Sequence, residues 1–469
     1  MARKTSVEST TRFDGKWWVL VCVGVATFMS ALDGSVVNTV LPVINRSLGT
    51  NVATIEWVVT IYLLVVSGLL LSFGRLGDLR GNKPLYVFGF AVFVIGSGLC
   101  GLAPTVRMLI AFRVLQALGA AMVFANSPAI LTKNFPSKQR GQVLGLQATM
   151  TYLGLTAGPM LGGWLTGRFT WRVIFYINVP VGLLALVLSQ RFIPRDVSYE
   201  RDQPFDWAGA TLWILGLAAL LLGLNQGSAW GWRSWSIASL LAAAGLLLTA
   251  FVIIEERVRS PMLDLILFRR RPFWAATSSA VLNYICIYTV VFLLPFYLIQ
   301  GRGLSPTRTG LLLSVQSLAR AVTAPFSGTL SDRVGSRVPT VLGMGILTLG
   351  LFLLSRLGAQ SAMSDVALGL MVAGLGAGIF VSPNSSALMG SAPRHRQGIA
   401  AATMATARNF GMVLGVGIAG ATFTTVLSHA PSRSRAVLIS AVDAGFLVAA
   451  GVGALGVLTS AAGGSDDDS

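Results

Sequence analysis

The stretch GRLGDLRGNKP occupies residues 74–84, and GTLSDRVGSRVP occupies residues 328–339. They align as Gly74 with Gly328, Leu76 with Leu330, Asp78 with Asp332 and Gly81 with Gly335, each pair 254 positions apart. Each loop follows a long apolar run, and the runs that open near 17 and 273 recur at almost the same spacing. A chain that repeats both a charged, glycine-rich loop and the apolar runs before it is a duplicated unit.

The composition says what kind of unit. Of 469 residues, 54% are hydrophobic and only 11% charged, and mean hydropathy is +0.71. A soluble chain carries roughly 25% charged residues. Here the apolar residues form fourteen blocks between 17 and 460, of the length that crosses a bilayer as helix. The blocks do not alternate polar with apolar, which excludes a barrel. The expected fold is an all-α polytopic membrane protein with two six-helix bundles plus two extra central helices, or fourteen transmembrane helices. The bundles fall at 17–193 and 273–460, and the extra pair at 207–254. Charged, proline-containing linkers at 194–206 and 255–272 separate them, the second with a possible surface helix over Met262 to Phe268. A polar segment, 1–16, leads the chain, and an acidic tail, 461–469, reads as disordered. Parallel halves of this kind characterise one class of secondary transporters.

Several function classes drop out. The apolar run behind the N-terminal segment is too long for a cleavable signal, so the first span is expected to be retained. Cys22, Cys100 and Cys286 stand alone in apolar segments, and His395 and His429 fall in loops on opposite sides. No disulfide framework or metal site is therefore expected. There is no GxxxxGK[ST], so no cofactor and no nucleotide hydrolysis is expected; the energy source is a proton gradient. The net charge of +17 is distributed by topology. With the N-terminus inside, inner loops hold 22 of the 35 lysines and arginines, outer loops hold 10 and spans hold the other three. That bias follows the positive-inside rule, places both termini in the cytoplasm and assigns the basic surplus to lipid headgroups rather than nucleic acid. Arginine outnumbers lysine 30 to 5, as in high-GC bacterial genomes, and the expected address is the bacterial cytoplasmic membrane.

Charges inside spans are the candidate chemistry, because each costs several kcal/mol without a partner or a wet cavity. Asp33 lies in SALDGSVVNTVLPVI, residues 30–44 of the first span, and Arg113 in RVLQALGAAM of the fourth. At 1.5 Å per residue they sit about 12 and about 9 Å below the outer ends of their helices, at similar depth in one half. They can form a proton-exchanging pair or a permanent structural one, and Arg113 could also snorkel outward alone. Glu56, beside Trp57 at the outer start of span two, can be a second protonation site or an interfacial acid. Arg320 lies about 21 Å into span ten with no evident acid on its own half. Together with Asn38 and Gln116, it is a candidate for lining a substrate cavity.

These motifs, in order, resemble the major facilitator superfamily, specifically its fourteen-span drug:proton antiporters. The first-span pattern LDGSVVNTVLP, the loop at 74–84, Arg113, GLTAGPMLGGWL (154–165) and WRVIFYINVPVG (171–182) all match. The resemblance implies a conformational latch at Gly74, Gly77, Asp78, Arg80, Gly81 and Lys83, echoed by Asp332 in the second copy, which has Val334 in place of Arg80. The two early glycines are expected to make the turn. It also implies an antiporter motif at Gly154, Gly158, Pro159, Gly162 and Gly163, with Gly158-Pro159 breaking the helix, and proton coupling at Asp33 and Arg113. WRVIFYINVPVG reads as diagnostic, without chemistry of its own. The implied function is proton-coupled export, by alternating access, of amphipathic and often cationic drugs or biocides. The alternative is dedicated export of one antibiotic, metabolite or lipid; a receptor or channel on the same scaffold is a remote third. Expected partners are small molecules, protons and lipids around a monomer, and no enzyme activity is expected.

Overall fold

The structure is a computed structural model that describes residues 15–136, 139–194, 205–258, 263, 265–392, 397–430 and 434–463. The first fourteen residues, parts of both charged linkers, His395 and residues 464–469 lie outside them, while Ala461 and Ala462, read from sequence as the start of a disordered tail, continue the last helix.

Fourteen long helices are described: α1 (Gly15–Ser47), α2 (Trp57–Arg80), α3 (Asn82–Leu102), α4 (Val106–Asn134), α5 (Arg140–Arg168), α6 (Asn178–Phe192), α7 (Trp207–Trp230), α8 (Trp235–Glu255), α9 (Arg271–Pro295), α10 (Pro306–Val334), α11 (Arg337–Leu354), α12 (Met363–Gly390), α13 (Gln397–His429) and α14 (Arg435–Ala462). Among the described residues, twelve are long and apolar enough to cross a membrane. The expected fourteen exceeds that number by α5 and α10. The physical reason is composition: α5 is rich in glycine, threonine and glutamine, and α10 carries Arg308, Arg320, Asp332 and Arg333 among its serines and threonines, which lowers the hydropathy of both.

The duplication governs the packing. In the first half α1 packs on α5, α3 on α4 and α2 on α4; in the second α9 packs on α13, α11 on α12 and α10 on α12. Close approach depends on glycines at repeated positions. A Cβ on Gly96 would fall 2.6 Å from the Gln116 nitrogen, and one on Gly350, 254 residues later, 2.4 Å from that of Ala373. Without lipid-excluding hydrophobic gain between helices, such backbone-to-backbone contact carries much of the association.

The halves meet at two related seams, α5 against α10 and α2 against α13. They are equivalent by the repeat, since each joins the fifth helix of one half to the second of the other. α7 covers only one of them, packing on both α2 and α13. The surface segment before α9 is a 3-10 helix at Leu265–Arg269; Met262 lies outside the described residues.

The glycine-rich loop differs from its sequence reading. Gly74 and Gly77 lie inside α2, and the reversal occurs at Gly81, whose φ of 99° is left-handed. Gly335 repeats this with a φ of 78°, and a side chain at either position would be strained. Gly77 is instead a contact residue: a Cβ would lie 1.9 Å from Asn126 Oδ1. Pro159 likewise leaves α5 unbroken from Arg140 to Arg168, because helices packed on both sides hold it in line.

Candidate functional site

Asp33 is completely buried in α1, at the point where α4 and α6 converge on it. Arg113 and Gln116 stand one turn apart on α4, and Asn178 opens α6. Arg113 Nη1 donates to Asp33 Oδ2 at 2.6 Å, while Gln116 Nε2 and Asn178 Nδ2 donate to Oδ1 at 2.9 and 3.0 Å. The guanidinium also donates to Gln116 Oε1 at 2.8 Å and to the Val58 carbonyl at 3.0 Å, and lies 4.1 Å over the Tyr62 ring. Asn178 reaches on to Ser97 Oγ at 3.0 Å, and Ser97 donates to the Phe175 carbonyl at 2.9 Å.

Burial decides what this cluster can do. Arg113 is 1% exposed, and a lone buried charge is far more costly than a paired, hydrogen-bonded one. Both carboxylate oxygens are engaged, one by a cation and the other by two amides. The cluster therefore ties together α1, α2, α3, α4 and α6 as long as Asp33 is ionised. A proton on Asp33 would withdraw the counter-charge from Arg113, leaving the amide contacts of Gln116 and Asn178.

The structure thus brings Asp33 and Arg113 together, and it places Gln116 in the same cluster rather than on a substrate cavity. Asn178 and Ser97 were missed by sequence reasoning. A signal existed: Asn178 lies about 10 Å into a span opening near 171, at the depth of Asp33.

The other candidates occupy different places. Glu56 is fully buried next to Asn225 of α7, and neither carboxyl oxygen has a hydrogen-bond partner. It faces the second half, since a Cβ on Gly420 of α13 would fall 2.1 Å from Glu56 Oε2. Asn225 itself is bound by Trp57 Nε1 at 2.5 Å. Asn38 turns back on its own helix, Nδ2 donating to the Gly34 carbonyl at 2.8 Å, and leaves Oδ1 unpartnered. Asp78 and Arg80 are exposed in the last turn of α2. Lys83 donates to the carbonyls of Gln190, at 3.0 Å, and Ile193 at the end of α6. Asp332 lies in α10, and its side chain is outside the described set.

The glycine motif of α5 has two faces. Gly154, Gly158 and Gly162 receive α1, where a Cβ on Gly154 would meet the Phe28 carbonyl at 2.5 Å. Gly163 receives the other half: a Cβ there would lie 2.4 Å from the Pro306 carbonyl, and one on Gly310 2.1 Å from that of Pro159. Thr307 Oγ1 bonds the Gly163 carbonyl at 3.0 Å across this seam. Beside it, between the halves, lies a small gap of about 20 Å³ whose lining includes Ser35, Tyr288, Gln316 and Arg320. Among the described residues no cluster of His, Cys, Asp or Glu has the geometry to hold a metal.

Duplicated six-helix halves, two symmetric seams and a charge cluster beside a central gap describe a particular kind of scaffold. Residues 23–416 match the family model of the Major Facilitator Superfamily. The chain belongs to that superfamily. It is a membrane transporter, with relatives named for multidrug resistance among its matches. It is 34% identical over 414 residues to the riboflavin transporter RibZ of Clostridioides difficile, covering 88% of this chain and 90% of that one. It is 34% identical to the multidrug resistance protein Stp of Mycobacterium tuberculosis, covering 89% and 78%. The tetracenomycin C resistance and export protein of Streptomyces glaucescens is 31% identical, covering 86% and 75%. In fold, the chain resembles a bacterial homologue of the human lysosomal transporter Spinster, solved inward-facing and occupied. The TM-score is 0.66 at 13% identity, covering 95% of this chain and 96% of that one.

Proposed function

We propose that this transporter is a proton-coupled exporter of amphipathic small molecules, of the drug:proton antiporter type. All fourteen long helices cross the bacterial cytoplasmic membrane in this reading, with both termini inside and the protein acting as a monomer. The observation that carries it is the Asp33 carboxylate, fully buried and bound by Arg113, Gln116 and Asn178. In a dry site burial disfavours a carboxylate and a nearby cation favours it. Opening the protein to either side changes the balance, so a proton and Arg113 compete for one group, and the winner sets which conformation is stable. The loop carrying Asp78, Arg80 and Lys83 acts as the inner latch, with Asp332 as its weaker second copy.

The test is uphill transport in proteoliposomes under an imposed proton gradient. Asp33→Asn is expected to abolish accumulation while leaving downhill exchange measurable. Uphill transport with an unaltered pH dependence would move coupling away from Asp33.

A second reading, export of one dedicated compound, is favoured by relatives whose names carry single substrates, riboflavin and tetracenomycin C. A panel of susceptibilities separates the two, since a dedicated exporter protects against one chemical class.

A further inference from the structure

The α2–α13 seam closes over an acid. Glu56 stands where the short helix Val52–Ile55 passes into α2, completely buried and with neither carboxyl oxygen bonded. A Cβ on Gly420 would fall 2.1 Å from Oε2 and 2.2 Å from both Cδ and Oε1, so the whole carboxyl group lies against the backbone of the opposite half. That contact leaves no room for water on the α13 side. The Thr424 hydroxyl, one turn along α13, is spent on the Gly420 carbonyl at 2.7 Å. Among the described residues no charged side chain pairs with Glu56. Arg46, Arg233 and His429, the charged or titratable residues at the nearby ends of α1, α7 and α13, are exposed.

The polar neighbour it does have belongs to the extra helix pair. Asn225 of α7 lies beside the carboxyl group. Its Oδ1 accepts from Trp57 Nε1 at 2.5 Å and Gln226 Nε2 at 3.1 Å, while Nδ2 makes a long contact of 3.4 Å to the Ala53 carbonyl. That amide is a donor within reach of a carboxylate. α7 is itself tied to both halves: Trp213 Nε1 donates to the Ser67 carbonyl of α2 at 3.2 Å, and Trp232 Nε1, just past α7, donates to Thr425 Oγ1 of α13 at 2.8 Å.

An ionised carboxylate in the closed seam would be a buried charge without a counter-charge, whereas the protonated acid carries none. α2 and α13 belong to different halves, so alternating access must part them on one side at a time. Once they part at this end, water and the Asn225 amide can reach the acid. We propose that Glu56 is a proton-binding site that gates the outer end of the α2–α13 seam, which closes over the neutral acid and opens when the acid is ionised. Asn225 is the positioning residue that receives the carboxylate, so the extra helix pair takes part in the transport cycle. The inference rests on the exporter reading for which end is outer, and it does not rest on coupling at Asp33.

The test is pulsed electron–electron distance measurement on purified protein, with spin labels at Thr50, before the short helix, and Ser428, near the end of α13, read from acid to alkaline pH. Wild type is expected to show the short distance in acid and a longer one as pH rises. Glu56→Gln and Glu56→Met, which stay neutral, should hold the short distance throughout. Asn225→Leu should move the midpoint up by about one pH unit, the scale of one hydrogen bond to a charged group. Asp33→Asn should keep the response even where uphill transport is lost, which separates this site from the coupling reading. A wild-type distance that ignores pH, a response that survives in both Glu56 variants, or one that vanishes in Asp33→Asn would overturn the proposal. An unmoved midpoint in Asn225→Leu would overturn the part given to α7. Melting of Glu56→Met at or above the wild-type temperature excludes misfolding as the cause of a lost response.

Discussion

Asn178 Nδ2 stands 3.0 Å from Asp33 Oδ1 and 3.0 Å from Ser97 Oγ, so the first turn of α6 is tied directly to the buried acid. Replacing Asn178 with Leu removes a donor from a buried carboxylate, an interaction on the order of 1.5–3 kcal/mol. Transport should fall about tenfold or more and its pH profile should move, with the protein still folded. An unchanged profile in proteoliposomes would reduce Asn178 to a packing residue.

The Asp33–Arg113 pair separates stability from transport. Arg113→Ala leaves a carboxylate buried without its cation and should destabilise the protein by about 3–5 kcal/mol. The double variant Asp33→Asn/Arg113→Gln removes both charges, so it should melt close to wild type while transporting nothing uphill. Thermal melts read against transport check this. If the double variant is as unstable as Arg113→Ala, the cost lies in lost packing rather than in an unpaired charge.

At the α5–α10 seam, a Cβ on Gly310 would lie 2.1 Å from the Pro159 carbonyl, backbone against backbone. Gly310→Ala should wedge the halves apart at this end. Spin labels at Phe169 and Arg308, both near the seam, should report longer distances in the variant than in wild type. Superimposable distance distributions would mean that the seam adjusts without opening. The buried native cysteines Cys22, Cys100 and Cys286 leave such labels selective.

Glu56 predicts a gain. Its two oxygens are buried without hydrogen bonds, and an unsatisfied buried polar group costs roughly 1–3 kcal/mol. Glu56→Met keeps the volume and removes those atoms, so the melting temperature should rise. A lower one would show that the carboxyl is bonded in the membrane-embedded protein.

The proposed inner latch gives the last prediction. Asp78→Asn should depress transport without unfolding the protein and raise labelling of an introduced cysteine at Ser331, which is buried on α10. Equal transport and equal labelling would remove Asp78 from the latch.

Much of this was determined by the sequence alone. The 254-residue repeat carries the duplicated bundles, because apolar length and loop composition are local properties that one chain displays openly. Asp33 and Arg113 were legible for the same reason, each being an isolated cost inside a span. Asn178 was not, since an amide in a helix is only mildly unfavourable and gains meaning from what it touches. The roles of Gly77 and Gly163 were equally hidden: a glycine in sequence signals freedom to turn, whereas here one admits Asn126 and the other the backbone of the opposite half. Gln116 passed from an expected cavity to the acid's own cluster because helix rotation, which hydropathy does not encode, decides which neighbour a side chain meets. Only packing of six helices against six placed Arg320 on the central gap and Glu56 against Gly420, and with them the electrostatic character of each seam.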